Sequence, residues 1–348
     1  MTTILPIVLD AFGGDHAPEA VYEAVPRAVE ELDVDLILVG DRDAIAKHVH
    51  SSRVDIVHAS EVIDMNEHPG RAVRTKKDST IVRACELVAQ GSGGAVVSAG
   101  NSGAILAASV LIMKRLPGVH RPAIGAALPR EGGGSTFLLD VGANSVCRPE
   151  WLAQFATMGA SYATTILGCT NPRIGIVSNG EEEEKGTELV QATKSILEAT
   201  SLNFVGNVEG KDLFRDVCDV AVCDGFTGNV IIKTAEGAGE FLMHAIKHAA
   251  TSSVLGMLGG ALLKPALAPL RTSMDYRLTG GALLLGINGE VVIAHGRSDA
   301  TAIWHAIRVA KEAMLHDVHT SIARGIAKET PSSPASTTAP TAPLEAHS

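Results

Sequence analysis

The chain has 348 residues, of which 46% are hydrophobic, only 3% are aromatic and 35 are glycine. This composition predicts a large aliphatic core with many tight turns between strands and helices. The formal net charge of −10 argues against a nucleic-acid binder, because such proteins carry a basic face, so a bound anion would need local attraction.

Cysteine usage indicates a reduced, cytoplasmic protein. The five cysteines are scattered, odd in number and contain no C-x-x-C pair; they are Cys85, Cys147, Cys169, Cys218 and Cys223. We therefore expect neither a disulfide framework nor a zinc knuckle. The N-terminus lacks a basic region followed by a long apolar run, so no signal peptide is expected.

Apolar runs alternate with helical patterns through the first half of the chain. Strands are predicted at Thr3–Leu9, Leu36–Val39, Val54–Val57, Ala95–Val97, Ala123–Leu128 and Thr136–Leu139. Helices are predicted at Pro18–Leu32, Ser79–Gln90, Ile105–Leu116 and Pro149–Leu167. This alternation predicts a sheet of parallel strands joined by right-handed crossovers.

The segment Ile174–Ala192 reads as a strand, a tight turn and a helix that starts at Glu181. A helix start offers unpaired backbone N–H groups to an anion, and Lys185 would lie beside them. The alternative stays open that the four glutamates only exploit the helix terminus and that Lys185 screens them. A Walker A loop is excluded, since Lys185 precedes Gly186 where that motif needs the reverse order.

Further turns rich in small and polar residues follow other strands. Their candidate binding residues are Gly13, Gly14, Asp15, His16, Asn101, Ser102, Gly103, Asn144, Thr227 and Gly228. Ligands gather at the carboxyl ends of parallel strands, so we expect these turns to share one crevice. Each turn alone is also explained by capping, as for Asp15, and Asp10, Asp15 and His16 lack the further ligands of a metal site.

The second half of the chain continues the pattern with strands at Phe204–Val208 and Val220–Cys223 and a helix from about Val230. Asn288-Gly289 predicts a tight hairpin between Ala282–Ile287 and Glu290–Ala294. Ser298 or Asp299 would cap a final helix that ends near Arg324. From Glu329 the chain is Pro, Ser, Thr and Ala, which predicts a disordered tail.

The stretch Ser252–Leu270 is apolar, poor in charge and interrupted by Gly259-Gly260 and Pro265. Its uninterrupted apolar run is too short to span a bilayer. Two interpretations stay open: a helix pair buried in a dimer interface, or an amphipathic hairpin that touches a membrane surface.

The motifs of common nucleophiles and cofactors are missing from the sequence. It has no G-x-S-x-G elbow, no cysteine next to a histidine and no G-x-G-x-x-G. The candidate site is rich in hydrogen-bond donors, which suits a reaction whose nucleophile is itself a bound anion.

With these residues laid out, the chain resembles the bacterial phosphate acyltransferase family, PlsX. The segments that carry the resemblance follow the family's order and cover nearly the whole chain before the tail; they are LDAFGGDHAPE, KKDSTIV, VVSAGNSGA, GVHRPAI, LLDVGANSVCRPEWLAQFA, GEEEEKGTEL, NFVGNVEGKD, VAVCDGFTGNVIIKTAEG and GGALLLGINGEVVIAHGRSD. Departures are small: Phe12 replaces the usual Met, Ser102 the usual Thr, and Ser178-Asn179 a more apolar pair.

The resemblance implies transfer of a fatty acyl group from acyl carrier protein to inorganic phosphate, with no cofactor and no metal. It implies a three-layer α/β/α sandwich with a mostly parallel sheet, like isocitrate and isopropylmalate dehydrogenases and phosphate acetyltransferases. We expect one catalytic domain, 1–328, with a protruding helical hairpin at about 252–270, and the tail 329–348. The resemblance also implies a homodimer that is cytoplasmic, lies peripherally at the inner face of the cell membrane and hands acyl phosphate to a glycerol-3-phosphate acyltransferase.

The resemblance also assigns residues. It places catalysis on Lys185 and Asn229 and membrane contact on the 252–270 region, where we expect Val254, Leu255, Met257 and Leu258 to face lipid. Because carrier proteins are acidic, Lys264, Arg271 and Arg277 are candidates for docking.

Two other classes of function place different demands on the sequence. An oxidoreductase on the related fold would need a dinucleotide site and acidic metal ligands, and neither is evident. A non-catalytic module that binds a carrier protein or a lipid surface would not need Lys185, Asn229 and several anion-binding turns.

Overall fold

One sheet of eleven strands organises this computed structural model, which describes residues 4–274 and 276–329. The strands are β1 (Ile7–Asp10), β2 (Leu36–Gly40), β3 (Val54–His58), β4 (Ala95–Ser98), β5 (Ala123–Pro129), β6 (Ser135–Leu139), β7 (Arg173–Val177), β8 (Asn203–Val208), β9 (Val220–Val222), β10 (Ala282–Leu285) and β11 (Glu290–Ile293). Their order in the sheet is β3-β2-β1-β4-β11-β10-β5-β6-β9-β7-β8.

Helices cover both faces of this sheet. They are α1 (Glu19–Glu31), α2 (Arg42–Ala46), α3 (Pro69–Thr75), α4 (Thr80–Ala89), α5 (Ser102–Ala108), α6 (Pro149–Thr165), α7 (Glu188–Glu198), α8 (Gly225–Thr251), α9 (Val254–Met274), α10 (Tyr276–Thr279), α11 (Ala300–Leu315) and α12 (Val318–Glu329). A π-helical segment, Ser109–Met113, continues α5, and Asp212–Phe214 forms a 3₁₀ turn.

The two faces of β1 show how the layers separate. Ile7 and Leu9 join a core that contains residues of α1, α6, α11 and α12, whereas Val8 joins a core with α3, α4 and α5. Successive residues of a strand face opposite ways, so a continuous apolar run buries both faces at once. The prediction of a mostly parallel α/β sheet with flanking helices is confirmed.

The direction of the strands changes in the middle of the sheet. β10 is antiparallel to β11 and to β5, β5 is antiparallel to β6, and the other seven pairings are parallel. The strands β6, β9, β7 and β8 therefore run opposite to β1, β2, β3, β4 and β11. The turns that follow these strands therefore fall at two opposite edges of the sheet.

Most predicted elements lie within a few residues of the observed ones, and the predicted bounds of three helices need correction. α7 begins at Glu188 instead of Glu181, because Thr187 accepts a hydrogen bond from the backbone N–H of Val190 and caps the helix there. α8 begins at Gly225, ahead of the predicted Val230, where Asp224 caps it. The final helix is two helices, since Asp317, at φ 50°, separates α11 from α12; of the predicted tail, only Glu329 lies among the described residues.

The stretch 252–270 holds one helix instead of a pair. α9 runs through Gly259-Gly260 and Pro265, and the connection to α8 lies at Ser252 and Ser253. A Cβ at Gly260 would lie 2.8 Å from the Cβ of Ala250 in α8. The glycine therefore permits close packing of the two helices and does not break α9.

Among the described residues, no helix is both long and apolar enough to cross a membrane.

Candidate functional site

A cavity of about 910 Å³ lies over β5, between the start of α5 and the first four turns of α8. Its floor is apolar: Ile124, Ala126 and Leu128 line it from β5, and Ile232 and Ala235 line it from α8. Alternate residues of a strand share one face, which is why three β5 side chains meet the same space. The middle of the cavity suits an aliphatic chain.

Both ends of the cavity are polar, and they belong to opposite edges of the sheet. Gly142, Ser145 and Asn229 line one end, where β6 and β9 finish. Ser102 and the turn after β11, His295–Ser298, line the other end. The cavity is therefore a crevice shared by the turns after β4, β6, β9 and β11, whereas Gly13–His16 and Lys185 do not line it.

Asp140 organises the loop at the first of these ends. Its Oδ1 accepts hydrogen bonds from the backbone N–H groups of Ile124 (3.1 Å), Gly142 (3.1 Å) and Ala143 (2.9 Å). Its Oδ2 accepts from the backbone N–H of Asn144 (2.7 Å) and from Asn144 Nδ2 (2.9 Å). The side chain is fully buried, and that burial raises the pKa of the Asp140 carboxyl.

The start of α8 lies directly against this loop. The backbone N–H of Gly225 donates to the carbonyl of Asn144 at 2.7 Å, and Asp224 accepts from the backbone N–H and from the hydroxyl of Thr227. A Cβ at Gly228 would lie 1.9 Å from the carbonyl oxygen of Asp140, so only glycine allows this approach. Asn229 follows at the next position and faces the cavity.

Lys185 lies in the loop that follows β7, beside the same edge. Asn179 Oδ1 accepts from the backbone N–H of Gly186 at 3.0 Å, and Asn207 Nδ2 donates to the carbonyl of Glu182 at 2.7 Å. The Lys185 side chain is exposed, and among the described residues its ammonium has no hydrogen-bond or ion-pair partner. Lys185 does not line the cavity. An ion pair connects its loop to the cavity wall, because Lys211 lines the cavity and lies 3.2 Å from Glu181 of the loop.

Three carboxylates near this loop lie close enough to hold a cation. Glu181, Glu209 and Asp212 place oxygen atoms within 4.8 Å of one another. The Lys211 ammonium already contacts Glu181 and Glu209. A lysine therefore supplies positive charge to this acidic group.

The turns after β1 and β4 form a second organised region at the opposite edge. The Ser98 hydroxyl donates to Asp10 Oδ2 at 2.7 Å, and the backbone N–H of Phe12 donates to Oδ1 at 3.1 Å. Burial raises the pKa of the Asp10 carboxyl. Gly13 packs against this carboxylate, since a Cβ there would lie 2.5 Å from Asp10 Oδ2.

The side chain of Asn101 makes structural hydrogen bonds to its own helix and to a neighbouring loop. Its Oδ1 accepts from the backbone N–H of Ala104 at 3.0 Å, and its Nδ2 donates to the carbonyls of Asp64, Met65 and Glu67. It thereby joins the start of α5 to the 64–67 loop, and Met65 of that loop lines the cavity.

A polar cluster closes the cavity at this edge. Lys233 Nζ lies 3.1 Å from His295 Nε2 and 2.8 Å from Glu236, and burial lowers the pKa of His295. Ser298 is 4% exposed, and its hydroxyl has no hydrogen-bond partner among the described residues. Of the two residues predicted to cap α11, Asp299 is the cap, since it accepts from the backbone N–H of Ala302.

The cysteine thiols are poor nucleophiles. All five are free, and burial raises the pKa of Cys85, Cys147 and Cys218 to about 12 and that of Cys223 and Cys169 above its usual value. At neutral pH these thiols stay protonated, and the thiolate is the reactive form.

Comparison with known proteins adds the family to this geometry. The family model described as "Fatty acid synthesis protein" matches residues 5–321. A phosphate acyltransferase of Pelotomaculum thermopropionicum is 46% identical over 326 residues, covering 91% of this chain and 95% of the relative. One from Desulfitobacterium hafniense is 48% identical over 311 residues, covering 88% and 93%.

The chain belongs to the phosphate acyltransferase family. The predicted family and its enzyme class, an acyltransferase, are confirmed, and so is acyl transfer to phosphate as the activity of this family.

Solved structures agree with the fold. A phosphotransacetylase from Streptococcus pyogenes superposes with a TM-score of 0.58 at 16% identity, covering 94% of this chain and 95% of its own. A branched-chain phosphotransacylase from Enterococcus faecalis gives 0.54 at 13% identity, covering 88% and 99%. At such low identity these likenesses concern the architecture alone.

Within this phosphate acyltransferase, the predicted site residues separate into three groups. Ser102 and Asn229 line the cavity, whereas Asn144, Thr227, Gly228, Asn101 and Gly13 build the turns around it. Asp15, His16 and Lys185 are exposed beside the turns, and Gly14 and Gly103 lie within them. Asp15 does not cap α1, since no side chain caps that helix.

Sequence reasoning missed Asp140 as the organiser of its turn, as well as Lys233 and Ser298 in the cavity. An aspartate directly after a buried strand and before a glycine turn is a recognisable signal, because such a side chain accepts hydrogen bonds from the following N–H groups. Nothing local in the sequence marks Lys233 or Ser298, since only the crossing of α8 over the sheet brings them together.

Proposed function

We propose that this enzyme transfers a fatty acyl group from acyl carrier protein to inorganic phosphate and releases acyl phosphate. The observation that carries the proposal is the cavity over β5, in which an apolar floor ends at Asn229 and the first turn of α8. A long aliphatic chain gains about 0.8 kcal/mol for each CH₂ group that it buries, so such a floor favours a fatty acyl donor over a short one.

The reaction needs positioning and charge stabilisation more than a protein nucleophile. A phosphate oxygen attacks the thioester carbonyl carbon, the new C–O bond forms, and the C–S bond breaks with release of the thiol. In our proposal Asn229 donates a hydrogen bond to the developing oxyanion, and Lys185, whose ammonium is unpaired among the described residues, holds phosphate. Ser102 and the turns at Gly13–His16 and Asn101–Gly103 would bind substrate groups at the other end.

The proposal also covers the fold family of the chain, its oligomeric state and its location in the cell. We place the chain with the isocitrate and isopropylmalate dehydrogenase-like sandwiches, as one catalytic domain, 1–328, with α8 and α9 as its projecting hairpin, and as a homodimer. It would act in the cytoplasm at the inner face of the membrane and pass acyl phosphate to a glycerol-3-phosphate acyltransferase. Exposed apolar side chains support membrane contact: Val254 is 69% exposed, Leu255 82%, Met257 53% and Leu258 61%.

Acyl phosphate formation tests the activity directly. Purified enzyme is mixed with palmitoyl acyl carrier protein and phosphate without added metal; the carrier protein with its remaining thioester is then removed, because hydroxylamine also cleaves thioesters, and acyl phosphate is trapped with hydroxylamine as the hydroxamate. We expect hydroxamate to form in proportion to the phosphate supplied. Loss of the thioester at the same rate without phosphate would instead show a thioesterase, and no loss at all would favour a non-catalytic binding module.

A further inference from the structure

Four exposed cations gather beside the Asn229 end of the cavity, on a chain whose formal net charge is −10. Lys114, Arg115 and Arg121 come from the segment between α5 and β5, and Arg148 lies directly before α6; we call these four residues the basic rim. Among the described residues, no carboxylate forms an ion pair with any of them. Their charge is therefore available to a partner.

The protein holds the basic rim in a defined shape. The backbone N–H of His120 donates to Gln154 Oε1 at 2.8 Å, and Gln154 Nε2 donates to the carbonyl of Gly118 at 2.8 Å, which ties the segment to α6. The Arg115 guanidinium donates to the carbonyl of His120. The guanidinium of Arg121 lies 4.9 Å and that of Arg148 5.7 Å from the centre of the Trp151 ring.

The basic rim is joined to the candidate active site by a short series of contacts. Arg121 precedes Pro122, whose carbonyl accepts from Asn144 Nδ2 at 2.8 Å. The carbonyl of Asn144 accepts in turn from the first residue of α8, and Asn229 lies one helical turn further on. A surface pocket of about 370 Å³ lies within the rim and is lined by His120, Arg148, Pro149, Glu150 and Trp151.

We propose that the basic rim docks an acidic protein that delivers the acyl thioester to the cavity. This inference rests on the proposed function and names the surface that the carrier would use. A cluster of unpaired cations beside the cavity mouth attracts an acidic protein and steers its approach. A membrane surface fits less well, because the largest group of exposed apolar side chains lies along α9, whereas only Val146, 82% exposed, and Leu111, 41% exposed, lie near the rim.

The earlier candidates for docking fit this role less well. Arg277 pairs with Asp299 at 3.1 Å, and the side chain of Arg271 lies outside the described part of the chain. Lys264 is exposed on α9, on the helix pair that we assign to membrane contact.

Charge reversal with two acyl donors tests the basic rim. In the variant Arg115→Glu/Arg121→Glu/Arg148→Glu we expect kcat/KM for palmitoyl acyl carrier protein to fall about tenfold or more, with a weaker dependence on salt. Palmitoyl pantetheine carries the thioester without the acidic protein, so its kcat/KM should not change. Arg42 is an exposed arginine on α2, and Arg42→Glu, a control for charge reversal elsewhere on the surface, should leave both values unchanged.

Other outcomes would overturn the docking surface. These are an unchanged kcat/KM with the carrier protein, an equal loss with both donors, or a loss confined to binding of phosphatidylglycerol vesicles. The glutamine variant of the same three residues covers the case in which charge reversal prevents folding. Fluorescence anisotropy of labelled acyl carrier protein measures docking without catalysis, so the surface is tested even where the wild-type enzyme makes no acyl phosphate.

Discussion

Two aspartates at strand ends, Asp140 and Asp10, organise the turns at the two ends of the cavity. Asp140 accepts five hydrogen bonds, three at Oδ1 and two at Oδ2. Asp10 accepts one from a backbone N–H, and its other oxygen accepts from the Ser98 hydroxyl, whose own oxygen accepts from the Gly100 N–H and has a second lone pair for a further donor. Replacing one carboxylate oxygen by an NH₂ group, as in an Asp→Asn substitution, should therefore destabilise the two turns to different degrees.

We predict that Asp140→Asn lowers the free energy of unfolding by about 1–3 kcal/mol, because the new NH₂ group meets N–H donors and leaves buried groups unpaired. Asp10→Asn is the matched control and should cost less, since Ser98 can accept from the amide. Urea unfolding of the two variants measures the difference. A smaller loss at Asp140 than at Asp10 would contradict this account of the turn.

Substitution of Lys185 tests the proposed chemistry most directly. We predict that Lys185→Ala lowers kcat by about 10²-fold or more, as the loss of one donor to a transition state does. The assay is phosphate-dependent hydroxamate formation, and Lys47→Ala, another exposed lysine, is the control. Turnover at the wild-type rate in the Lys185 variant would remove the residue from the mechanism.

Residues of the site were predictable to the extent that they lie in strand-end turns. The motif around Asn229 led to the cavity, and Ser102 lines its other end. The position of Lys185 was harder, because the sequence favours a helix from Glu181 while Asn179 and Thr187 hold an irregular loop up to Gly186, at φ 106°. A local hydrogen bond overrode the helix propensity of four glutamates.

At the scale of elements, α12 is joined to the central sheet by one ionisable pair. His319 Nδ1 lies 2.9 Å from Glu290 Oε1 on β11, and the His319 backbone N–H donates to the same oxygen at 2.9 Å. Asp317 Oδ1 lies 3.6 Å from the same ring nitrogen. The hydrogen bond to Glu290 raises the pKa of His319 above its usual value.

This pair makes stability depend on pH. The folded pKa of His319 lies above the unfolded value of about 6.5, so the contribution is complete below that pH and is lost as the pH rises through the folded pKa. We predict that His319→Gln is less stable than wild type at pH 6 and that the difference shrinks by pH 8.5. Urea midpoints across this range measure it, and a gap that widens with pH would contradict the assignment.

Element boundaries followed the sequence where capping and turn signals are strong. Pro149 begins α6 as predicted, and β10 and β11 form the predicted hairpin, but the pairing of Ala282 with Ile293 leaves four connecting residues, 286–289, instead of the predicted two. The sequence signal failed in α9, where Gly259-Gly260 and Pro265 normally mark a break. There the packing of Gly260 on Ala250 decided the outcome, and a contact between helices cannot be read from one segment.

For the whole molecule, the reversal of strand direction across β10 and β5 was the feature that the sequence did not reveal. Each strand and its turn is a local pattern, but which strands pair and in which direction depends on contacts between distant segments. This reversal places the turns of β1 and β4 opposite those of β6 and β9. Because of this reversal, the cavity over β5 has polar turns from opposite edges of the sheet at its two ends.

The exposed apolar surface on α8 and α9 gives the molecule two chemically different sides. Phe241 is 74% exposed and Leu262 83%, in addition to the four predicted lipid-facing residues. Exposed apolar groups concentrated at one place favour insertion into the boundary between lipid head groups and acyl chains. We predict that Leu255→Glu/Leu258→Glu lowers the fraction of enzyme that sediments with phosphatidylglycerol vesicles severalfold.

The matched control for this experiment is Leu315→Glu, because Leu315 is an exposed leucine at the end of α11, away from this surface. It adds one negative charge where the double variant adds two, so a loss of about half the size in this control would mean that repulsion from anionic lipid, and not lost insertion, causes the change. Neutral phosphatidylcholine vesicles separate the two effects further, since insertion of apolar side chains does not require anionic lipid. Sedimentation velocity must show the same assembly state in all variants, because burial of this surface between two copies would also remove it from lipid. If charged residues here left vesicle binding intact and instead changed the assembly state, α8 and α9 would serve an interface between protomers.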